Sequence, residues 1–154
     1  MVDTLYFDVL AAHQHFAAHC FNRTWDYMER PEALSHEEKL DMLHTAMASL
    51  WHWSQREDVT AQNLSVGYWQ VSRVYCLLNQ PANARVYGMR ALEYALDLSP
   101  FFKGYAHETL ARAEMLENNR AIMKAHLDRA REVLPLIPDA QDRELLAKDL
   151  ESIR

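Results

Sequence analysis

His15 and His19 stand four residues apart, the separation that sets two imidazoles one helical turn apart, where both can ligate one metal ion. Asp8, Asn22 and Asp26 extend the same polar stripe. A third ligand must come from another segment, and His44, His52, His107 and His126 are the available imidazoles. The stripe lacks the glutamate of an H-E-x-x-H pattern and the Glu-x-x-His pairs of di-iron bundles. On this reading the chain is a metal-dependent hydrolase or a small-molecule-binding helical bundle organised around His15 and His19.

Other chemistry leaves fainter traces. There is no Gly-rich phosphate loop, no G-x-S-x-G elbow and no kinase signature, so no cofactor is expected. Ser49, Ser54 and Ser72 read as packing or solvent positions on helices, and Cys20 and Cys76, far apart in sequence, as small buried hydrophobes. Trp25, Trp51, Trp53 and Trp69 cluster in the first half of the chain. Core packing accounts for most of them, and a pocket lined by two is the functional alternative.

The elements that position these residues are helices. Three Gly in 154 residues is far below the usual share of about 7%, and no alternating apolar run reads better as strand. The length suits one domain, residues 1–154, with a core that needs no disulfide or metal. A net charge of −6 and scattered Lys and Arg argue against a nucleic-acid partner. The opening MVDTLYFDVLAAH lacks the positive flank and long apolar core of a signal peptide, and no apolar run is long enough to span a bilayer. The expectation is a cytoplasmic protein with no membrane partner.

Seven helices are legible. The first runs from about Asp3 to Glu29, with Phe7, Leu10, Ala11, Ala17, Ala18, Phe21, Trp25 and Met28 on its core face. Ser35 and Glu38 form a capping box for the second, whose broad apolar arc is Leu40, Leu43, Met47, Leu50 and Trp51, widened by Ala46 and Trp53. Asp58 or Thr60 caps the third, which ends near Asn79. Pro81 and Pro100 fit the first turns of the fourth and fifth, and Asn118-Asn119 offers a left-handed turn before the sixth. Pro135 and Pro138 interrupt the chain before Asp139 caps the last helix, whose Leu145, Leu146, Leu150 and Ile153 suit an end cap.

Tyr68, Val71, Ser72 and Tyr75 share one face of the third helix, and Ala84, Gly88 and Ala91 form a small-residue strip on the fourth. Thirty-nine residues on, the same slots hold Ala111, Glu114, Met123, Leu127 and Ala130. From about Ser65 to Pro135 the chain resembles the tetratricopeptide repeat, whose 34-residue unit places bulky and small residues at matching offsets. It departs from that pattern in its 39-residue spacing, in Glu114 at a usually aromatic slot and in lacking the inter-helix glycine. The run from Met42 through Trp53, with Trp69 to Arg73, Ala84 and Ala111 to Ala113, is also similar to a group of uncharacterised bacterial helical proteins.

The resemblance implies an all-α stack of three antiparallel hairpins with a C-terminal capping helix, an up-down bundle being the alternative. It also implies a concave groove lined by first helices: Val66, Trp69, Arg73 and Cys76 from one repeat, Tyr105, Glu108, Arg112 and Met115 from the next, with Asn22 from the first helix. Such a groove holds a protein or peptide segment, or a small anionic ligand, with arginines meeting an acid group and aromatics its apolar part. A second copy of the chain can complete so short a groove as a homodimer. Against this, Trp69 as core and Arg112 pairing with Glu108 at i, i+4 on a solvated face explain the same residues.

Overall fold

The computed structural model describes residues 7–154, and among these there are seven α-helices and no strand. They are α1 (Val9–Met28), α2 (His36–Ser54), α3 (Ala61–Leu77), α4 (Pro81–Ala95), α5 (Pro100–Leu116), α6 (Arg120–Val133) and α7 (Ala140–Glu151). Short 3-10 turns at Pro31–Ala33 and Leu134–Leu136 precede α2 and α7. The expected start of the first helix at Asp3 lies outside the described residues; within them, Asp8 caps α1 through its Oδ1, which accepts from the Ala11 N–H at 2.9 Å.

Local chemistry explains most boundaries. Ser35 and Glu38 make both hydrogen bonds of the capping box, and Thr60, not Asp58, caps α3, exchanging bonds with Asn63. Pro81 and Pro100 sit in the first turns of α4 and α5, where the missing N–H has no partner to lose. Asn79 and Asn118 adopt φ of 56° and 57°, which turns the chain from α3 into α4 and from α5 into α6. The prolines at 135 and 138 end α6, and Asp139 starts α7.

Successive helices pack on one another from α1 to α6; α3 also packs on α5, and α7 on α5. One core cluster joins Tyr27 and Met28 of α1, Met42, Ala46 and Leu50 of α2, and Val71 and Val74 of α3. A second joins Ala111 of α5, Leu127 and Ala130 of α6, and Ile137, Leu146, Leu150 and Ile153. Each large apolar side chain so buried stabilises the fold by roughly 1.5–3 kcal/mol. The small-residue strip does what its spacing predicts. Ala84 and Ala91 are wholly covered, and a Cβ at Gly88 would lie 2.9 Å from Leu110 Cδ2.

Close approach is sealed by buried hydroxyls. Ser72 Oγ reaches the Ala84 carbonyl at 2.7 Å and Thr109 Oγ1 at 2.7 Å, tying α3 to α4 and α5. Ser49 and Ser65 donate likewise to the carbonyls of Ala17 and Ala91. A buried hydroxyl satisfied this way avoids the penalty of an unpaired polar group. Ser54, in contrast, is exposed.

Two faces are rotated from their expected positions. On α1 the buried residues are Ala17, Thr24, Tyr27 and Met28, whereas Leu10, Ala11 and Ala18 are exposed, as is Phe7 just before the helix. On α2 they are Met42, Ala46, Ser49 and Leu50, leaving Leu40, Met47 and Trp51 exposed. The reason is partnership. α1 has α2 on one flank and only a narrow contact with α3, so half of its apolar arc is uncovered. The described residues contain no helix long and apolar enough to cross a membrane.

Candidate functional site

A cavity of about 470 Å³ opens where α1, α3, α5 and α7 meet. Phe21, Trp25 and Met28 come from α1, Ser65, Val66, Trp69 and Arg73 from α3, Phe101, Phe102 and Tyr105 from α5, and Leu145 and Asp149 from α7. Residues four apart on each helix share a face, so α3 sends Ser65, Trp69 and Arg73 down one wall and α5 sends Phe101 and Tyr105 down the next. The aromatic wall is continuous. Ring centroids lie 5.8 Å apart between Trp25 and Trp69, 5.5 Å between Trp69 and Tyr105, and 5.0 Å between Phe101 and Tyr105. All four walls belong to one chain.

Behind this wall lies a charged network centred on Glu108, which is 1% exposed. Its Oε2 accepts from the Trp69 indole N–H at 3.2 Å, and its Oε1 from Arg112 Nε. Arg112 continues to the Asp149 carbonyl at 3.0 Å and Ser152 Oγ at 2.7 Å, fastening α5 to α7. Arg73 is different. Its Nε stands 3.7 Å from Glu108 Oε1, an ion-pair distance beyond hydrogen-bond range, and among the described residues its guanidinium makes no hydrogen bond. Across the cavity, Asp149 Oδ2 accepts from the Tyr105 hydroxyl at 2.8 Å, and burial together with this bond pushes the Tyr105 phenol far above its ordinary range.

The residues expected in the groove therefore divide. Val66, Trp69, Arg73 and Tyr105 line the cavity; Glu108 is buried and Arg112 largely so, holding its wall from behind. Cys76 is buried among α3, α4 and α5, where burial raises its thiol to about 11 and keeps it protonated. Met115 packs against the second core cluster, and Asn22 points from α1 to solvent, outside the cavity. The Glu108–Arg112 spacing does form an i, i+4 pair, but its carboxylate is inside the protein.

His15 and His19 are exposed and stack with ring centroids 5.4 Å apart. The imidazoles expected to supply a third ligand are engaged elsewhere: His52 Nδ1 meets His13 Nδ1 at 2.9 Å, and His107 Nδ1 meets His126 Nδ1 at 3.0 Å, while His44 is exposed. Among the described residues no group of three or more His, Cys, Asp or Glu is arranged to hold a metal ion.

Several wall residues were not anticipated. Ser65, Phe101, Phe102, Leu145 and Asp149 had no assigned role in a site, Phe21 and Met28 belonged to the expected core face, and Trp25 to that face or to a pocket lined by two tryptophans. One signal was available for α7: Leu145 and Asp149 are four apart on a face adjacent to the buried Leu146 and Leu150. Comparison of the chain with protein-family models, curated proteins and solved structures gives no match in any of the three.

Proposed function

We propose that the chain is a tetratricopeptide-like stack of antiparallel hairpins, α1 with α2, α3 with α4 and α5 with α6, closed by α7 as the capping helix. Its role is binding, in the cytoplasm, and its site is the aromatic cavity. The ligand is an apolar molecule or peptide segment that carries an acidic group. Its apolar body stacks on Trp25, Trp69, Phe101 and Tyr105, and its acid meets Arg73.

Arg73 carries this reading. A guanidinium has five N–H donors, and one held on a half-enclosed wall without a hydrogen bond from the fold is stabilised by whatever anion enters. Glu108 leaves that place open, because its nearest oxygen stands 3.7 Å from Arg73 Nε, outside hydrogen-bond range, and its closer partners are Trp69 and Arg112.

The test uses Trp25 and Trp69 as reporters. Apolar carboxylates such as 3-phenylpropionate should shift the tryptophan emission, and the matching neutral amide should bind more weakly. Replacing Arg73 by Ala should reduce carboxylate affinity by about 1.5–3 kcal/mol, the range for charge-assisted hydrogen bonds. Equal affinity for acid and amide, or an Arg73→Ala protein that binds as wild type, would remove the reading.

A further inference from the structure

Two opposite charges stand on this one cavity, and neither is neutralised at hydrogen-bond distance by the other's helix or its own. Arg73 on α3 has only the 3.7 Å approach to Glu108, whose charge is shared with Arg112. Asp149 on α7 accepts one hydrogen bond from the uncharged Tyr105 phenol, and among the described residues no Lys, Arg or His forms an ion pair with its carboxylate. With Glu108 and Arg112 offsetting each other, the group of four sums to zero. A simple anion therefore answers Arg73 and leaves Asp149 unanswered.

We infer that the cavity takes a zwitterion: a short hydrophobic peptide with free ends, its carboxylate on Arg73, its ammonium on Asp149 and its apolar side chains on the aromatic wall. The inference rests on the proposed binding role and names its ligand class. Charge complementarity is the main support. The ammonium also meets a cavity lined by aromatic rings, among them Tyr105, whose hydroxyl bonds Asp149, and cations are attracted to ring faces. Asp149 has room for it, because a carboxylate offers about four lone-pair sites and Tyr105 uses one. A cavity of about 470 Å³ is in the range of sites that enclose small organic molecules, and larger than one aromatic ring requires.

Calorimetric titration with leucyl-phenylalanine, its N-acetyl form and its C-terminal amide tests this with the protein unaltered. The free dipeptide should bind about tenfold or more tighter than either capped form, as expected for loss of one charge-assisted hydrogen bond. Asp149→Asn, which still accepts from Tyr105, should abolish the preference over the acetyl form, and Arg73→Gln the preference over the amide, with helix content unchanged by circular dichroism. If the acetyl form binds as tightly as the free dipeptide and weakens in Arg73→Gln, the zwitterion is overturned and the acidic-ligand reading stands. If none of the three binds, both fall.

Discussion

Trp69 and Glu108, 39 residues apart and on different helices, are joined by a 3.2 Å hydrogen bond from the indole N–H to a carboxylate that is 1% exposed. The bond joins α3 to α5 and makes Trp69 a fixed part of the cavity wall. Glu108 also holds Arg112, so one buried anion sets both the cavity surface and the attachment of α7. Replacing Glu108 by Gln keeps an acceptor for Trp69 but leaves two largely covered arginines without their anion. Destabilisation of about 3 kcal/mol or more is expected, as for removal of one partner from a buried pair, and urea unfolding measures it.

Gly104 allows α5 to approach α7. A Cβ there would overlap Leu146 Cδ2 and come within 3.2 Å of Val133 Cγ2. Gly104→Ala gains about 1 kcal/mol in helix propensity but loses about 1–3 kcal/mol to overpacking, for a net loss of about 0–2 kcal/mol. Since α7 carries Leu145 and Asp149 into the cavity, ligand affinity should fall as well. Thermal unfolding and titration of the same variant check both.

Acid should weaken the contact between α5 and α6. Burial, then His126 and Arg129, lower the His107 imidazole from its ordinary 6.5 to about 4, against an opposing pull from Glu132. His126 is lowered by its own burial, with Glu114 acting in the other direction. A histidine held neutral in the fold but free to charge when unfolded stabilises fully above about pH 6.5, and that stability is lost as pH falls towards 4. Allowing for partial solvent access, the loss is on the order of 1–2 kcal/mol. Urea midpoints across this window should fall less steeply for His107→Gln than for wild type.

The turns at Asn79 and Asn118 hold left-handed backbone. Alanine at either position should cost about 1 kcal/mol, because it keeps the Cβ strain and loses the polar side chain that makes Asn tolerant of this region, whereas glycine, free of that strain, should be neutral or stabilising. Thermal midpoints of the four single variants measure both effects.

The helices and their ends were legible in the sequence because their signals are local. A capping serine, a first-turn proline or an asparagine in a left-handed turn acts on backbone groups within a few residues, so Ser35 with Glu38, Pro81, Asn118 and Asp139 could be read without any partner. The strip of Ala84, Gly88 and Ala91 was also legible, since only small residues at that spacing admit a second helix so closely. What tertiary structure alone decided was the covering of wider faces. Apolar periodicity on α1 marks an arc, but α2 and α3 determine that Tyr27 is buried, that Phe21 and Trp25 line a cavity and that Phe7 is exposed. Likewise the i, i+4 spacing of Glu108 and Arg112 is the same on a solvated helix as on a buried one. Only the approach of Trp69 from α3 and of the Asp149 carbonyl from α7 makes that pair the centre of a wall, because burial and charge pairing depend on neighbours that are distant in the chain.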